Sequence, residues 1–438
     1  MLWLYAEDAE YYQREFLDSL RRKWGTVLVC PSEAEVKEQI RKGESFVCIA
    51  PYLPPENFRS FFAFKELPNS RGMWTTQDTK LIEEEGSNEF DLLEKKTGFR
   101  IYKPDLEGKK LIGVGGIRRY IRSVKELVDR KLRPKGILLV GLPGTGKSFS
   151  AKVAAHELGA YLVEFNISRL LEMENPVFFL HSLFSYLEKA SQSGQRFILW
   201  IDEIEKMFVG TDRKEKQVFG QLLTIMNDMN STGYQINGIF WVTANNIAGL
   251  IEQNPEFFRK GRFDELFFID LPREETAKEI ASFYAKYYGV CYYSDDGISL
   301  EENLVYLVNN KIRAQDTMQG GSEDVKRFIY VPSEIEYIMK SLAIRSVLNR
   351  RVLAGDRETY ALLYPEEYME LLRKHLYMNG SEPFKFVSEK LTRAFAQGKN
   401  VTDADLYIVL RQIEPIAISM SQALSAIWSN RRFFSPAD

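Results

Sequence analysis

The chain has 438 residues, enough for roughly two to four structural units, and its 45% hydrophobic and 27% charged content is typical of globular proteins. The net charge of −3 excludes a global basic field for nucleic acid, and three scattered cysteines with three histidines argue against a disulfide framework or a zinc site. No apolar run approaches the ~18 residues of a membrane span, and the start lacks a signal-peptide pattern. We therefore expect no membrane partner and a cytoplasmic location.

The amino-terminal part predicts a small α/β domain followed by a connector, together spanning residues 1–105. Three short apolar runs are typical of buried strands: LWLY at 2–5, TVLVC at 26–30 and SFVCIAP at 45–51. The stretch PSEAEVKEQIRKG begins with Pro31 and Ser32 and ends in Gly43, which is the punctuation of a capped helix. The aromatic residues Trp3, Tyr5, Tyr11 and Tyr12 are either core residues or a docking face.

Residues 106–273 predict an α/β core with a parallel sheet covered on both faces, because short apolar strands alternate with helices. The predicted strands are GILLV (136–140), YLVEF (161–165), FILWI (197–201), IFWVTA (239–244) and LFFID (266–270). The predicted helices lie near 117–132, 147–158, 177–191 and 214–230.

Residues 274–438 predict a carboxyl-terminal helical domain. Its helices are expected at 274–289, 332–349, 365–377, 383–397 and 403–412. Residues 316–324 and about 351–365 are interpreted as insertions. Thr402, with Asp405 three residues later, predicts a capping box at the start of the last of these helices.

The segment GLPGTGKS, Gly141 to Ser148, matches G-x-x-x-x-G-K-[ST] between a predicted strand and a predicted helix. Its glycines allow backbone N–H groups to converge on phosphate oxygens, and the helix N-terminus adds its positive end. Lys147 would reach the β- and γ-phosphates, and Ser148 would bind Mg²⁺. The predicted nucleotide-binding residues of this loop are Pro143, Gly144, Thr145, Gly146, Lys147, Ser148 and Phe149.

Polar residues follow the next strands where a ligand would bind. Asp202 and Glu203 end FILWIDE, and parallel sheets bind ligands beyond the carboxyl ends of their strands. Asp202 would bind Mg²⁺, and Glu203 would orient and polarise the attacking water. Asn245 follows the strand of WVTANN, where its amide would hold that water near the γ-phosphate. The segment EFFRKGRFDE adds Arg259 and Arg262 on either side of a glycine.

The ordered set GLPGTGKS, FILWIDE, VTANN and FFRKGRFDELFFIDLP resembles the AAA ATPases, in particular the Ycf-type AAA proteins of cyanobacteria and plastids. The resemblance implies an AAA+ core with a helical lid, ATP and Mg²⁺ as ligands, and a homo-oligomeric ring, usually a hexamer. It also implies that Arg259 and Arg262 act on the nucleotide of a neighbouring subunit. The stretch GVGGI matches the family's adenine pocket, which assigns that role to Val114, Gly115 and Gly116. A plastid stroma location follows if the protein is plastid-encoded.

The sequence departs from the family where many members carry an aromatic–hydrophobic–Gly pore loop. The matching region, LLEMENPVFFLHSLF, is acidic and lacks that tripeptide, with Met173 as the apolar residue at its tip. Phe178 and Phe179 are interpreted as residues of the following helix and of the core. Threading of a polypeptide is therefore in doubt.

Three functions remain open on sequence alone. The leading hypothesis is an ATP-driven ring that remodels a protein client of unknown identity, recruited by the amino-terminal domain. A nucleic-acid motor or loader is the second, because KELVDRKLRPKG (125–136) and IRSVLNRR (344–351) are basic. The third is an ATP-switched assembly scaffold, against which the intact set of Glu203, Asn245 and the two arginines argues.

Overall fold

The computed structural model describes most of the chain, which divides into two compact units, Met1–Leu92 and Leu93–Asp438. The described residues are 2–5, 9, 21, 25–42, 46–52, 54, 63–66, 99–129, 133–172, 175–208, 213–229, 231–246, 258, 261–313, 326–375 and 382–437. No helix in these ranges is long and apolar enough to cross a membrane.

The first unit contains a parallel four-stranded sheet in the order β2-β3-β1-β4. Its elements are β1 (Leu2–Tyr5), β2 (Thr26–Val29), α1 (Glu33–Lys42), β3 (Phe46–Ala50) and β4 (Ala63–Glu66). Trp3 is fully buried, and its indole N–H donates to the carbonyl oxygen of Tyr52 at 2.9 Å. Trp3 is therefore a core residue and not part of a docking face; Tyr11 and Tyr12 lie outside the described residues.

The second unit is built on a seven-stranded sheet in the order β13-β10-β6-β9-β8-β7-β5. The sheet and the helices beside it comprise β5 (Arg100–Tyr102), α2 (Gly115–Asp129), β6 (Gly136–Gly141), α3 (Lys147–Glu157), β7 (Tyr161–Phe165), α4 (Ile167–Glu172), α5 (Pro176–Gln192), β8 (Phe197–Ile201), α6 (Arg213–Asp228), β9 (Gly238–Ala244), β10 (Glu265–Ile269) and β13 (Ser435–Pro436). The five central strands pair in parallel and are the five predicted ones, so the predicted α/β core is confirmed.

The two edge strands of this sheet were not predicted. β5 pairs antiparallel with β7, and β13 pairs parallel with β10. Strands of two or three residues carry no readable alternation, so only their hydrogen bonds reveal them. The sequence analysis placed the core at residues 106–273. The core sheet also contains β5, which lies before residue 106, and β13, which lies after residue 273.

The helical lid follows β10. It contains α7 (Glu274–Tyr287), β11 (Tyr292–Tyr293), α8 (Leu300–Leu307), α9 (Pro332–Leu353), α10 (Arg357–Leu363), α11 (Glu366–His375), α12 (Pro383–Ala396), β12 (Val401–Thr402), α13 (Asp403–Gln412), α14 (Ile416–Ser419) and α15 (Ser421–Ser429). These elements bury one continuous apolar core. The predicted capping box at Thr402 is present, since its N–H donates to Asp405 at 2.9 Å.

Two interpretations of single segments are corrected by the structure. The region 351–365 is not an insertion: α9 extends to Leu353, and α10 places Leu363 in the lid core at 4% exposure. Phe178 and Phe179 do lie in the helix α5, but Phe178 is 63% exposed and therefore outside the core. It lies on the first turn of the helix, where its ring stands edge-on to the ring of Phe179 at 6.0 Å.

The basic stretch 344–351 is only partly exposed, with Arg350 and Arg351 at the surface. Arg345 is buried, and its Nε atom lies 3.0 Å from the carboxylate of Asp405. An arginine held in this way offers no charge to a nucleic acid, which weakens the interpretation of this stretch as a nucleic-acid surface.

Candidate functional site

The loop between β6 and α3 has the backbone geometry of a phosphate-binding loop. Gly144 and Gly146 adopt φ angles of 78° and 94°, which side chains other than glycine rarely tolerate. Gly141 packs so closely against β10 that a Cβ atom would lie 2.5 Å from the carbonyl oxygen of Ile269. The loop therefore needs glycine both for its turns and for its contact with the sheet.

Lys147 begins α3 and is buried beneath this loop at 5% exposure. Its ammonium donates hydrogen bonds of 2.7 Å to the carbonyl oxygens of Gly141 and Leu142. Burial lowers the pKa of Lys147 to about 8, and the nearby acidic residues only partly oppose this effect. The ammonium group of Lys147 is thus buried where its charge is disfavoured, and a bound phosphate would favour the charged form.

Three side chains from three elements converge beside the start of α3. The hydroxyl of Ser148 donates to Asp202 Oδ1 at 3.2 Å, and the hydroxyl of Thr243 on β9 donates to the same oxygen. The Thr243 oxygen also accepts the backbone N–H of Glu203 at 3.0 Å. Thr243, to which the sequence analysis gave no role, therefore fixes both acidic residues.

Glu203 has an unusual backbone and a fully engaged carboxylate. Its φ angle is 51°, uncommon for a residue other than glycine and found most often at functional positions. Oε1 accepts the side-chain amide of Asn245 at 2.8 Å, and Oε2 forms an ion pair with Lys206. The structure thus brings Glu203 and Asn245 together as predicted and adds Lys206, which the sequence analysis missed.

Glu205 is a second residue that the sequence analysis missed. Its Oε1 atom accepts the backbone N–H of Asn245 at 2.8 Å, while its Oε2 atom has no hydrogen-bond partner within the described ranges. Burial raises the pKa of this carboxyl group. Glu205 therefore positions Asn245, which in turn contacts Glu203. Its place two residues after Glu203 on the same turn is the only sequence signal for it.

The phosphate loop, Asp202, Glu203 and Asn245 line a cavity of about 370 Å³, a volume within the usual range for ligand pockets. Its lining contains Lys109, Lys110, Leu111, Ile112, Pro143, Gly144, Thr145, Gly146, Lys147, Ser148, Phe149, Asp202, Glu203, Asn245, Ile280, Tyr284, Pro332, Ser333 and Glu336. All seven predicted loop residues are present, together with the two acidic residues and the asparagine. A slightly larger cavity, of about 400 Å³, lies at the opposite ends of the strands and contains none of these groups.

The lid closes one side of the cavity. Ser333, at the start of α9, donates its backbone N–H to the carbonyl oxygen of Gly144 at 3.1 Å. Glu336, one turn later, accepts Lys109 Nζ and the Tyr288 hydroxyl, each at 2.8 Å. These donors lower the pKa of Glu336 although burial opposes them. Core and lid are therefore joined at the cavity by contacts that the sequence did not predict.

The residues predicted for the adenine pocket do not line this cavity. Val114 is buried in the apolar core, and Gly115 and Gly116 begin α2. The segment just before them, Lys109 to Ile112, lines it, and Val114 borders a smaller cavity together with Ile112 and Thr145.

The remaining predicted residues lie away from the cavity or outside the described ranges. Arg262 Nε donates to Asn227 Oδ1 at 3.2 Å, so this arginine has a contact within its own chain. Arg259 and Met173 are outside the described residues.

Ser148 and Asp202 fit a magnesium ion bound with a nucleotide. No group of three or more His, Cys, Asp or Glu side chains in the described ranges could hold a metal ion. Mg²⁺ needs no such group, because it commonly takes one or two protein oxygens together with phosphate oxygens and waters. A hydroxyl and a carboxylate 3.2 Å apart beside the phosphate loop supply such oxygens.

Comparison with known proteins identifies the domain that carries this cavity. The family model "ATPase family associated with various cellular activities (AAA)" matches residues 137–271. The chain contains an AAA domain. The predicted resemblance to this family and to its Ycf-type members is confirmed by the relatives described next.

The AAA domain is similar to curated proteins over part of their length. A ycf46 AAA domain-containing protein of Guillardia theta is 40% identical over 149 residues, which cover 32% of this chain and 26% of the relative. A proteasome-activating nucleotidase of Methanococcus maripaludis is 27% identical over 287 residues, covering 60% of this chain and 64% of the relative. The crystal structure of the FIGL-1 AAA domain aligns with a TM-score of 0.49 and 16% identity over 76% of this chain and 92% of that chain.

Proposed function

We propose that this protein binds Mg·ATP in the cavity between the AAA core and the lid and hydrolyses it to ADP and phosphate. The observation that carries the proposal is the convergence of a buried lysine, a hydroxyl–carboxylate pair and a glutamate–asparagine pair at the carboxyl ends of adjacent parallel strands. These groups are Lys147, Ser148 with Asp202, and Glu203 with Asn245. The match of residues 137–271 to the AAA family model supports the same reaction.

Phosphate binding follows from the geometry of the loop. In a loop of this kind, N–H groups of the glycine-rich turn and of the first turn of the following helix would donate to phosphate oxygens. Lys147 would exchange its two carbonyl acceptors for the β- and γ-phosphates, whose charge favours the ammonium form. Ser148 and Asp202 would hold Mg²⁺, which neutralises charge on the phosphates when bound.

Hydrolysis requires a positioned water, and the Glu203–Asn245 pair supplies the means. The Glu203 carboxylate would accept a hydrogen bond from the attacking water and polarise it. The Asn245 amide, fixed through Glu205, would orient both partners. Thr243 holds the Glu203 backbone at its positive φ angle, so the carboxylate is oriented before the substrate binds.

The test uses two substitutions, of which one should abolish ATP binding and the other should leave ATP binding intact. Lys147→Ala should abolish ATP binding, because the phosphates lose their buried cation. Glu203→Gln should bind ATP normally but lower kcat by about 10²-fold or more, in line with the usual contribution of a general base. ATP affinity measured by fluorescence titration and phosphate release would show both. Unchanged affinity in the first variant, or normal turnover in the second, contradicts the proposal.

A ring in which each subunit completes the site of its neighbour is the finer part of the proposal. Arg259 and Arg262 would contact the γ-phosphate of an adjacent subunit, where a guanidinium stabilises charge that develops in the transition state. The resemblance to AAA ATPases supports a homo-hexamer. Mixing Arg259→Ala with Lys147→Ala subunits should restore part of the activity at hybrid interfaces. Verified mixed rings without any recovered activity contradict action between subunits.

Remodelling of a protein client is the proposed use of this hydrolysis. One similar protein is named for activating a proteasome, which is a protein partner. The lid contacts the phosphate loop directly through Ser333, so a change at the phosphates reaches the lid through one hydrogen bond. Capture with the Glu203→Gln variant in ATP, with and without nuclease, followed by mass spectrometry, distinguishes a protein client from a nucleic acid.

A further inference from the structure

The segment Ser435–Ala437, here called the tail segment, is built into the AAA core. Its strand β13 pairs with Phe267 and Phe268 of β10, and the N–H of Ala437 donates to the carbonyl oxygen of Phe268 at 3.0 Å. The carbonyl oxygen of Ala437 accepts the N–H of Gly116 at 2.7 Å. Ser435 and Pro436 are exposed, but Ala437 is 1% exposed, so the tail segment is anchored in the unit through Ala437.

Gly116 allows this close approach. A Cβ atom at Gly116 would lie 3.0 Å from the carbonyl oxygens of both Pro436 and Ala437, and 3.2 Å from the ring of Phe267. Such distances are tighter than normal carbon contacts, so a larger residue would push the tail segment away. The Gly116 N–H that donates to Ala437 belongs to the first turn of α2, where helix N–H groups have no partner within the helix.

The tail segment is connected to the nucleotide cavity through an apolar cluster. Ala437 belongs to the same buried cluster as Leu111, Val114 and Ile117. Leu111 also lines the cavity, together with its neighbours Lys109, Lys110 and Ile112. The start of α2 therefore contacts the tail segment at Gly116, and the wall of the cavity, Lys109–Ile112, shares an apolar cluster with it through Leu111.

The lid also contacts the stretch Gly113–Gly116, which directly follows the wall. Gly113 has a φ angle of 76°, and a Cβ atom there would lie 2.2 Å from Thr276 Cγ2 on α7. A lid helix at Gly113 and the tail segment at Gly116 thus both contact the chain just after the wall. Loss of the contact with the tail segment would free this end of the wall, whereas the phosphate loop lies on other elements, β6 and α3.

We infer that the tail segment is a positioning element of the nucleotide site, holding the wall Lys109–Ile112 in the orientation that binds nucleotide. This inference rests on the proposed function. The tail segment touches no reacting atom, and Lys147, Glu203 and Asn245 lie on other elements. Its loss should therefore weaken nucleotide binding and leave the chemical step intact.

The experiment measures ATP affinity and turnover in the full chain and in three variants. One lacks residues 435–438, one carries Gly116→Val, and the control carries Gly220→Val. A Cβ atom at Gly220 meets nothing within 4 Å, and both substitutions introduce a valine into a helix. We expect the deletion and Gly116→Val each to raise the Kd for ATP about tenfold with kcat at saturation unchanged, and Gly220→Val to change Kd less than about twofold.

A combined variant separates positioning from general destabilisation. If Gly116→Val acts by displacing the tail segment, the deletion with Gly116→Val should bind ATP no more weakly than the deletion alone. The milder Gly116→Ala, expected to shift Kd in the same direction, keeps the test open if a larger change prevents folding.

Several outcomes would overturn the inference. A deletion variant with unchanged Kd would do so, as would an equal effect of Gly220→Val, fully additive effects of the deletion and Gly116→Val, or a loss confined to kcat. Each leaves the proposed function intact if Lys147→Ala still abolishes binding in parallel. Failure of the unaltered protein to bind ATP would instead overturn the proposed function.

Discussion

Asn245 donates its side-chain amide to Oε1 of Glu203 at 2.8 Å, across 42 residues of sequence. The two residues follow neighbouring parallel strands, β9 and β8, whose carboxyl ends lie side by side. Each is also fixed by its backbone: the N–H of Glu203 by Thr243, and the N–H of Asn245 by Glu205. Three hydrogen bonds therefore orient the pair before any ligand binds.

Asn245→Ala should slow hydrolysis without weakening ATP binding. The amide orients Glu203 and the attacking water but does not belong to the phosphate loop, so kcat should fall about 10²-fold while Kd stays within about twofold. Steady-state phosphate release together with a direct binding titration would separate the two. A variant with unaltered kcat would show that the contact with Glu203 has no role in turnover.

ATP affinity should fall as the pH rises above about 8. Burial lowers the pKa of Lys147 to about 8 in the free protein, and bound phosphates would raise it again. The complex then holds more protons than the free protein above this pH, so log Kd should increase by up to about one unit per pH unit. Calorimetric titrations between pH 7 and 9.5 would measure it, and a flat profile would contradict it.

The control for this pH dependence is Lys147→Arg, whose guanidinium remains charged over the whole range. The Kd of this variant for ATP should therefore show no pH dependence from residue 147. The same shift also acts on folding, because the unfolded chain holds more protons at this position. The unfolding free energy of the free protein should therefore rise with pH between about 8 and the ordinary lysine value near 10.5.

Gly144→Ala should disturb the contact between the phosphate loop and the lid. A Cβ atom there would lie 2.1 Å from the Ser333 hydroxyl oxygen, in addition to the strain of a positive φ angle. Gly159→Ala is the matched control, since it has a φ angle of 62° and nothing within 4 Å of its Cβ position. The control should cost about 1 kcal/mol of unfolding free energy, from backbone strain alone. Gly144→Ala should cost more and also weaken ATP binding; equal effects in chemical denaturation and titration would argue against the clash.

Asp405→Asn should strongly destabilise the lid. Asp405 is fully buried and accepts hydrogen bonds from Arg345 at 3.0 Å and from the Tyr364 hydroxyl at 2.7 Å. Without its charge, a buried arginine loses its counterion, which costs about 3–5 kcal/mol. The exposed pair of Arg357 and Glu382 gives the comparison: Glu382→Gln should cost less than about 1 kcal/mol. Comparable losses in urea unfolding would contradict this ranking.

The site was largely predictable where its residues are adjacent in sequence. The phosphate loop, Asp202, Glu203 and Asn245 each directly follow an apolar strand, and a parallel sheet places such residues at one edge. The contacts that hold these site residues and the cavity wall in place were not predictable in this way. Lys109 and Glu336 are separated by 227 residues, and neither stands in a pattern that signals the other. In the sequence, Glu205 and Lys206 resemble ordinary solvated turn residues. Only the structure shows that they contact Asn245 and Glu203.

The sequence by itself determined that this protein has an α/β core with a glycine-rich phosphate loop and an acidic strand end, because those features depend on local spacing and on hydrophobic periodicity. Only the tertiary structure decided which residues enclose the cavity. The segment Lys109–Ile112 forms its wall where Val114–Gly116 had been expected, and Ser435–Ala437 returns to the edge of the core sheet. These arrangements depend on packing between distant segments, since a two-residue strand or a single close approach at a glycine leaves no periodic signal in the chain.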